Sequence, residues 1–199
     1  MDILLLGMGF IGTETAKLLK QNGHHVTGTT TSHEKVDGLK ALCDEVIVLR
    51  GDEADKIKNA ASNADLVIVT VGPNLQRASN PATREEEYRQ SLAVTTQSAA
   101  SAHPRCIFTS SLSVYGDGGA GTDDITEETP VTSSEDASPR NYKQAEANIL
   151  ASGQGTVLRF PDVYGSEKDM SYVDRIKFGH KVMGGKVPFG GEALLYRIH

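Results

Sequence analysis

The chain holds 199 residues, 38% of them hydrophobic, with a formal net charge of −6. That length suffices for one domain with a sizeable core. The acidic balance argues against the clustered basic face of a nucleic-acid binder, and no apolar stretch reaches membrane-spanning length.

Met1-Asp2 leads into an unbroken apolar run, Ile3-Leu4-Leu5-Leu6, which reads as a strand buried on both faces. With no charged-then-apolar leader ahead of it, the chain is expected to be cytoplasmic. Gly7-Met8-Gly9-Phe10-Ile11-Gly12 follows at once, and an apolar helical pattern (Ile11, Thr15, Leu18, Leu19) stops at Asn22-Gly23, a helix-ending pair. A strand, then GxGxxG, then a helix is the context in which this glycine spacing signifies dinucleotide binding. Gly7 permits the tight turn, Gly9 lets the backbone approach a pyrophosphate, and Gly12 lets the helix pack close to the sheet. The helix N-terminus behind Phe10 and Ile11 then supplies amides to the phosphates.

The second strand reads His25-Val26-Thr27-Gly28-Thr29, followed by a helix over 34–43. Domains that prefer NAD place Asp or Glu at the end of this strand to hold the ribose 2′-hydroxyl. Here the stretch is Thr30-Thr31-Ser32-His33, with no carboxylate before Glu34, no arginine, and Lys35 beyond. Hydroxyls with a nearby His and Lys suit a 2′-phosphate, so NADP is expected in preference to NAD. Glu45-Val46-Ile47-Val48-Leu49 is a third strand, and Asp52 after it reads as the N-cap of a helix over 53–61. Asp65-Leu66-Val67-Ile68-Val69-Thr70-Val71 is the fourth strand. Val71 and Gly72 at its end read as plain turn chemistry.

A long helix is predicted over 84–102, a fifth strand over 105–110, an acidic loop over 117–140, a helix over 141–151 and a sixth strand over 156–160. After Phe160 the pattern becomes irregular. Apolar strands alternating with helices predict an α/β fold, a doubly wound parallel (Rossmann) sheet in three α/β/α layers. Residues 1–165 would form the nucleotide-binding domain, and 166–199 a partial or minimal substrate-lobe segment. Cys43 and Cys106 read as small core residues, and no His/Cys/Asp spacing suggests a metal site.

Four segments resemble the extended and atypical short-chain dehydrogenase/reductase superfamily, the NAD-dependent epimerase/dehydratase group. They are the 7–12 loop, Thr109-Ser110-Ser111-Leu112-Ser113-Val114-Tyr115-Gly116, Asn141-Tyr142-Lys143-Gln144-Ala145-Glu146, and Leu158-Arg159-Phe160-Pro161-Asp162-Val163-Tyr164-Gly165. The serine motif is similar to that of a bacterial YeeZ-like group. Tyr196-Arg197-Ile198-His199 resembles the family's IHVxD segment, interrupted; more chain normally follows there.

The resemblance implies an adenine contact at Asp52, cofactor contacts at Val71, Gly72 and Ser110, a substrate-polarising hydroxyl at Ser111, and a tyrosine acid/base whose pKa a lysine one turn later lowers. Starting at Tyr142, that lysine falls on Glu146. Aligning instead on the helix glutamate puts Ser138 at the tyrosine position and Tyr142 at the lysine position. Lys143 points about 100° away from Tyr142 on a helix. Tyr142 is the only tyrosine near the expected acid/base site, and a half-buried packing role is its alternative.

The implied activity is oxidoreductase or epimerase/dehydratase chemistry on a small molecule bearing a hydroxyl or carbonyl, such as a nucleotide sugar. A non-catalytic dinucleotide-binding redox sensor or scaffold is the alternative. A small-molecule substrate is the expected partner, with no nucleic acid and no membrane. The resemblance adds a possible homodimer, because such proteins often pair through the helices after the fourth and fifth strands.

Overall fold

The computed structural model describes residues 1–75, 78–116, 125–163 and 197–198. The chain divides into two compact units, Met1–Arg159 and Phe160–His199. The first is built on a six-stranded sheet in the order β3-β2-β1-β4-β5-β6. Its strands are β1 (Asp2–Leu6), β2 (His25–Thr30), β3 (Glu45–Val48), β4 (Leu66–Val69), β5 (Cys106–Ser111) and β6 (Thr156–Phe160). Pairing is parallel from β3 through β5. The order reverses at β1, which leaves a crevice between the loops that leave β1 and β4.

Alternate residues of β1 feed two separate cores, as the two-residue period of a strand requires. Leu4 and Leu6 pack with Ile57, Leu92, Phe108, Ala145 and Ile149 beneath α3 (Ala54–Ala61), the long helix and α6 (Ala137–Leu150). Ile3 and Leu5 pack with Ala16, Val26, Leu39 and Cys43 beneath α1 (Phe10–Gln21) and α2 (Val36–Leu39). Three layers result, as the alternating pattern predicts. Both cysteines are buried and unpaired, and burial raises both thiols, Cys106 to about 11.

Three elements depart from the sequence reading. The helix over 34–43 shrinks to a 3-10 turn, His33–Lys35, and the single turn of α2. Gly38 within it carries the usual backbone-entropy penalty. The helix over 84–102 begins at Pro81, because Asn80 and Thr83 form a reciprocal capping box and Pro81 is tolerated in the first turn. It then runs as α4 (Pro81–Tyr88), a π-turn (Arg89–Val94) and α5 (Thr95–Ala102). Helix α6 starts at Ala137 and not at 141; Pro139 stands in its first turn, where its missing N–H costs nothing.

In the second unit, Asp162–Val163 (β7) pairs in parallel with Arg197–Ile198 (β8). Residues 117–124 of the acidic loop, and all of 166–199 except 197–198, lie outside the described residues, as do Tyr164, Gly165, Tyr196 and His199 of the quoted motifs. Among the described residues no helix is long and apolar enough to cross a membrane. No group of acidic, histidine and cysteine side chains among them could hold a metal.

Candidate functional site

The turn after β1 is held from three sides. Gly7 takes a φ of +104°, a region L side chains avoid. Its N–H donates to Thr29 Oγ1 at 3.0 Å, and its carbonyl accepts from Thr70 Oγ1 at 2.6 Å. The Met8 N–H donates to the Thr29 carbonyl at 2.8 Å. β2 and β4 thus clamp the loop from either side. A Cβ on Gly12 would lie 2.0 Å from the Gly7 carbonyl oxygen, so no other residue lets α1 approach this closely. Helix α1 has no side-chain cap at Gly9 and no acidic residue in its first turn. The first hydrogen bond back to the loop comes from the Thr13 N–H, which donates to the Gly9 carbonyl at 3.0 Å. The amides of Phe10, Ile11 and Gly12 precede that first bond, as donors at the positive end of the helix.

A cleft of about 500 Å³ opens in front of this turn. Of the residues expected to contact a cofactor, Gly7, Gly9, Thr30, Thr31, Ser32, Asp52, Val71 and Gly72 line it. Phe10, Ile11 and Gly12, at the head of α1, are not among its lining residues. Lys35 lines it too, as the sequence suggests, together with Glu34. The structure adds residues that sequence reasoning missed. Arg50 enters from the loop after β3, and Glu87, Gln90, Ser91 and Thr95 enter from the long helix. Helical spacing alone places 87, 90, 91 and 95 near one face. Only the strand order, however, shows that this face meets the cleft.

A somewhat larger groove, about 570 Å³, lies at the opposite ends of β1–β3, among Asp2, His25, Glu45, Lys56 and Asn59. Open α/β sheets bind ligands outside the carboxyl ends of their strands, at the switch point. The cleft at the glycine turn meets that condition and the groove does not.

The carboxyl end of β5 is organised differently. Ser111, its last residue, accepts the Ser113 N–H on Oγ at 3.1 Å, and Ser113 in turn accepts Ser138 Oγ at 3.3 Å. Ser110 points the other way, into the protein, where its hydroxyl donates to Glu146 Oε1 at 2.6 Å. Glu146 is 5% exposed and receives a two-pronged contact from Arg159, at 3.0 Å from Nε and 2.7 Å from Nη2. Arg159 Nη1 donates to the Tyr115 hydroxyl at 2.7 Å, and that hydroxyl donates to the Thr126 carbonyl. The carboxylate of Glu146 raises the guanidinium pKa further, so Arg159 is permanently cationic.

Neither candidate for the acid/base pair reaches Ser111 in an active form. Tyr142 packs into the core against Phe108, with ring centroids 6.3 Å apart, and does not line the cleft. Burial, and then the neighbouring Tyr88, push its phenol up to about 12, opposite to what a base needs. Lys143 leaves on another face of α6 and donates to the Thr132 and Ser134 carbonyls. Glu146 is tied to Arg159. Ser138, at the tyrosine position of the alignment on the helix glutamate, donates to the Ser113 hydroxyl, and it is the Ser113 backbone N–H, not that hydroxyl, that reaches Ser111.

Residues 3–179 match the NAD dependent epimerase/dehydratase family. The chain is 32% identical over 139 residues to Protein YeeZ of Escherichia coli K12, covering 66% of this chain and 48% of that protein. It thus spans about half the length of the curated relatives it matches. Its fold is similar to Bordetella bronchiseptica WbmH in complex with NAD+, with a TM-score of 0.72 at 17% identity over 93% of this chain and 63% of that one. It is also similar to Bacillus cereus UDP-glucuronic acid 4-epimerase, solved with UDP-glucuronic acid and NAD. There the TM-score is 0.71 at 20% identity, over 92% and 63% of the two chains.

Proposed function

The chain belongs to the NAD-dependent epimerase/dehydratase family, and we propose that it binds a nicotinamide dinucleotide in the cleft in front of the 7–12 loop. The amides of Phe10, Ile11 and Gly12 would hold the pyrophosphate, and the bare backbone at Gly9 leaves room for it. Asp52, Val71 and Gly72 would flank the adenine, and the ribose would face residues 30–32. The observation that carries this reading is the Gly12 contact, where a single methyl group would collide with the Gly7 carbonyl oxygen. A merely glycine-rich turn has no reason to be packed so tightly. Hydroxyls and Lys35 where an acidic residue would select NAD favour NADP over NAD.

The bound dinucleotide would supply hydride chemistry for an oxidoreductase or epimerase/dehydratase reaction. The substrate class is a hydroxyl- or carbonyl-bearing small molecule, such as a nucleotide sugar. On the protein side, Ser111 would be the hydroxyl that polarises that group, its Oγ held by the Ser113 N–H. Tyr142 does not enter this reading, since its phenol is held neutral in the core. Residues 1–165 would carry the nucleotide site and 166–199 part of a substrate lobe. Pairing of two chains through the long helices belongs to the same reading, and sedimentation equilibrium tests it.

A second reading keeps the nucleotide and drops the chemistry, as a redox sensor or scaffold. The buried phenol of Tyr142 and the committed Lys143 favour it. Calorimetric titration with NADH and NADPH tests the shared premise. A turnover screen against nucleotide sugars, with Ser111→Ala as control, then separates the two. Turnover lost in the variant while nucleotide affinity stays the same identifies the enzyme. Saturable binding with no turnover on any sugar leaves the sensor.

A further inference from the structure

We infer that Arg50, with Lys35 lining the same cleft, reads the 2′-position of the adenosine ribose and makes a 2′-phosphate dianion the preferred occupant of that end of the cleft. This rests on the dinucleotide reading above and goes beyond it by naming the discriminating residue. The sequence gives no hint of it, because Arg50 lies one strand away from the segment where such a residue is normally sought.

The strand register brings it there. β2 and β3 pair from Thr27↔Glu45 to Thr30↔Val48, and the Leu49 N–H donates to the Thr30 carbonyl at 3.0 Å beyond the last pair. The two strands therefore leave the sheet side by side, and Arg50 lines the same cleft as Thr31 and Ser32.

The turn that carries Arg50 is fixed by its neighbours. The Arg50 N–H donates to Glu53 Oε2 at 2.7 Å, and the Gly51 carbonyl accepts from Ser98 Oγ at 2.8 Å. A Cβ on Gly51 would lie 1.8 Å from Thr95 Oγ1, so the turn is seated directly on the long helix. Thr95 closes the π-turn and donates its hydroxyl to the Gln90 carbonyl five residues back. This widened helical turn is thus the surface on which the Arg50–Gly51 backbone rests.

The Arg50 guanidinium remains largely available. Its single ion pair among the described residues is a long one, Nε to Asp52 Oδ1 at 3.5 Å, and its side chain is 63% exposed. The forked Nη groups are the part suited to a phosphate, which accepts two parallel hydrogen bonds. Three carboxylates also line the cleft, Glu34, Asp52 and Glu87. Of these, Glu34 shares the 3-10 turn with Lys35. It is the competing candidate, as an acceptor for an unphosphorylated ribose.

The test is calorimetric titration of the full chain and of Arg50→Gln, Arg50→Lys and Glu34→Gln with NADPH and with NADH. Wild type is expected to bind NADPH more tightly. Arg50→Gln should weaken NADPH roughly ten- to a hundredfold, as loss of a charged hydrogen-bond pair does, and leave NADH within about twofold. Arg50→Lys should recover part of the loss, keeping the charge without the fork. NADPH binding that Arg50→Gln does not change overturns the inference alone, as does an equal loss for both nucleotides. A wild type that prefers NADH, and loses it in Glu34→Gln, assigns the discrimination to the carboxylate. No binding of either nucleotide to wild type overturns the dinucleotide reading and this inference with it.

Discussion

The two halves of the sheet spend their polar groups differently. Around β1–β4 the polar side chains either hold backbone, as Thr29 and Thr70 hold the glycine turn, or face a cleft, as Thr31, Lys35 and Arg50 do. Around β5 and β6 the strong polar groups are consumed within the protein, where Ser110, Glu146, Arg159 and Tyr115 form one continuous network. Both halves descend from the same strand–loop–helix plan, yet one ends in donors that face the cleft and the other in donors bonded within the protein. A buried ion pair is weak evidence for net stability, but removing one partner leaves an unpaired charge at substantial cost. The contrast therefore separates the residues proposed to govern binding from those that hold the fold.

Substitutions on either side should give opposite signatures. The largest stability loss is expected for Glu146→Ala, which strands Arg159 and unpairs Ser110. We expect about 3 kcal/mol, below the upper range for buried pairs because Arg159 is 23% exposed. Chemical denaturation measures it, and nucleotide affinity of the folded variant should stay the same.

Gly12→Ala should show the reverse emphasis. It should cost about 2 kcal/mol of stability, from forcing a methyl group against backbone, and abolish nucleotide binding in calorimetry. If Glu146→Ala removed binding and Gly12→Ala preserved it, the comparison would be broken.

A finer test uses pH. The folded phenol of Tyr142 titrates near 12 and an unfolded one near about 10. Its contribution is therefore complete below pH 10 and is lost as pH rises from there through 12. Wild type should lose about 2 kcal/mol more than Tyr142→Phe over that window, read from urea midpoints at pH 9 and above. At neutral pH the same variant should lie within about 0.5 kcal/mol of wild type, with unchanged nucleotide affinity.

Much of this architecture was legible in the residues. The apolar runs of β1 and β4 and the spacing of Gly7, Gly9 and Gly12 are local signals, and local signals survive without a structure. What escaped was produced by register and by packing over distance. Arg50 reaches the cleft because β2 and β3 pair in one particular register, which no composition records. The Glu146–Arg159 pair joins α6 to β6 through burial, and an isolated glutamate in a helix reads as solvated. The π-turn at Arg89–Val94 has no signature beyond ordinary helix formers; the Thr95 hydroxyl bond to Gln90 exists only once the backbone has widened. Pro139 misled the reading of α6 because a proline looks the same in a loop and in a helix's first turn. At Tyr142 the motif and the packing disagree, and the Phe108 contact shows which prevails.

The most direct test of the central claim is amide hydrogen exchange of the whole chain, with and without saturating NADPH. The account predicts slowed exchange in residues 7–13, 30–35, 50–53 and 71–74, where backbone would meet the ligand, and none of comparable size in α6. Protection absent from the 7–13 loop, or appearing instead around Asp2, His25, Glu45 and Lys56 at the opposite end of the sheet, would contradict it.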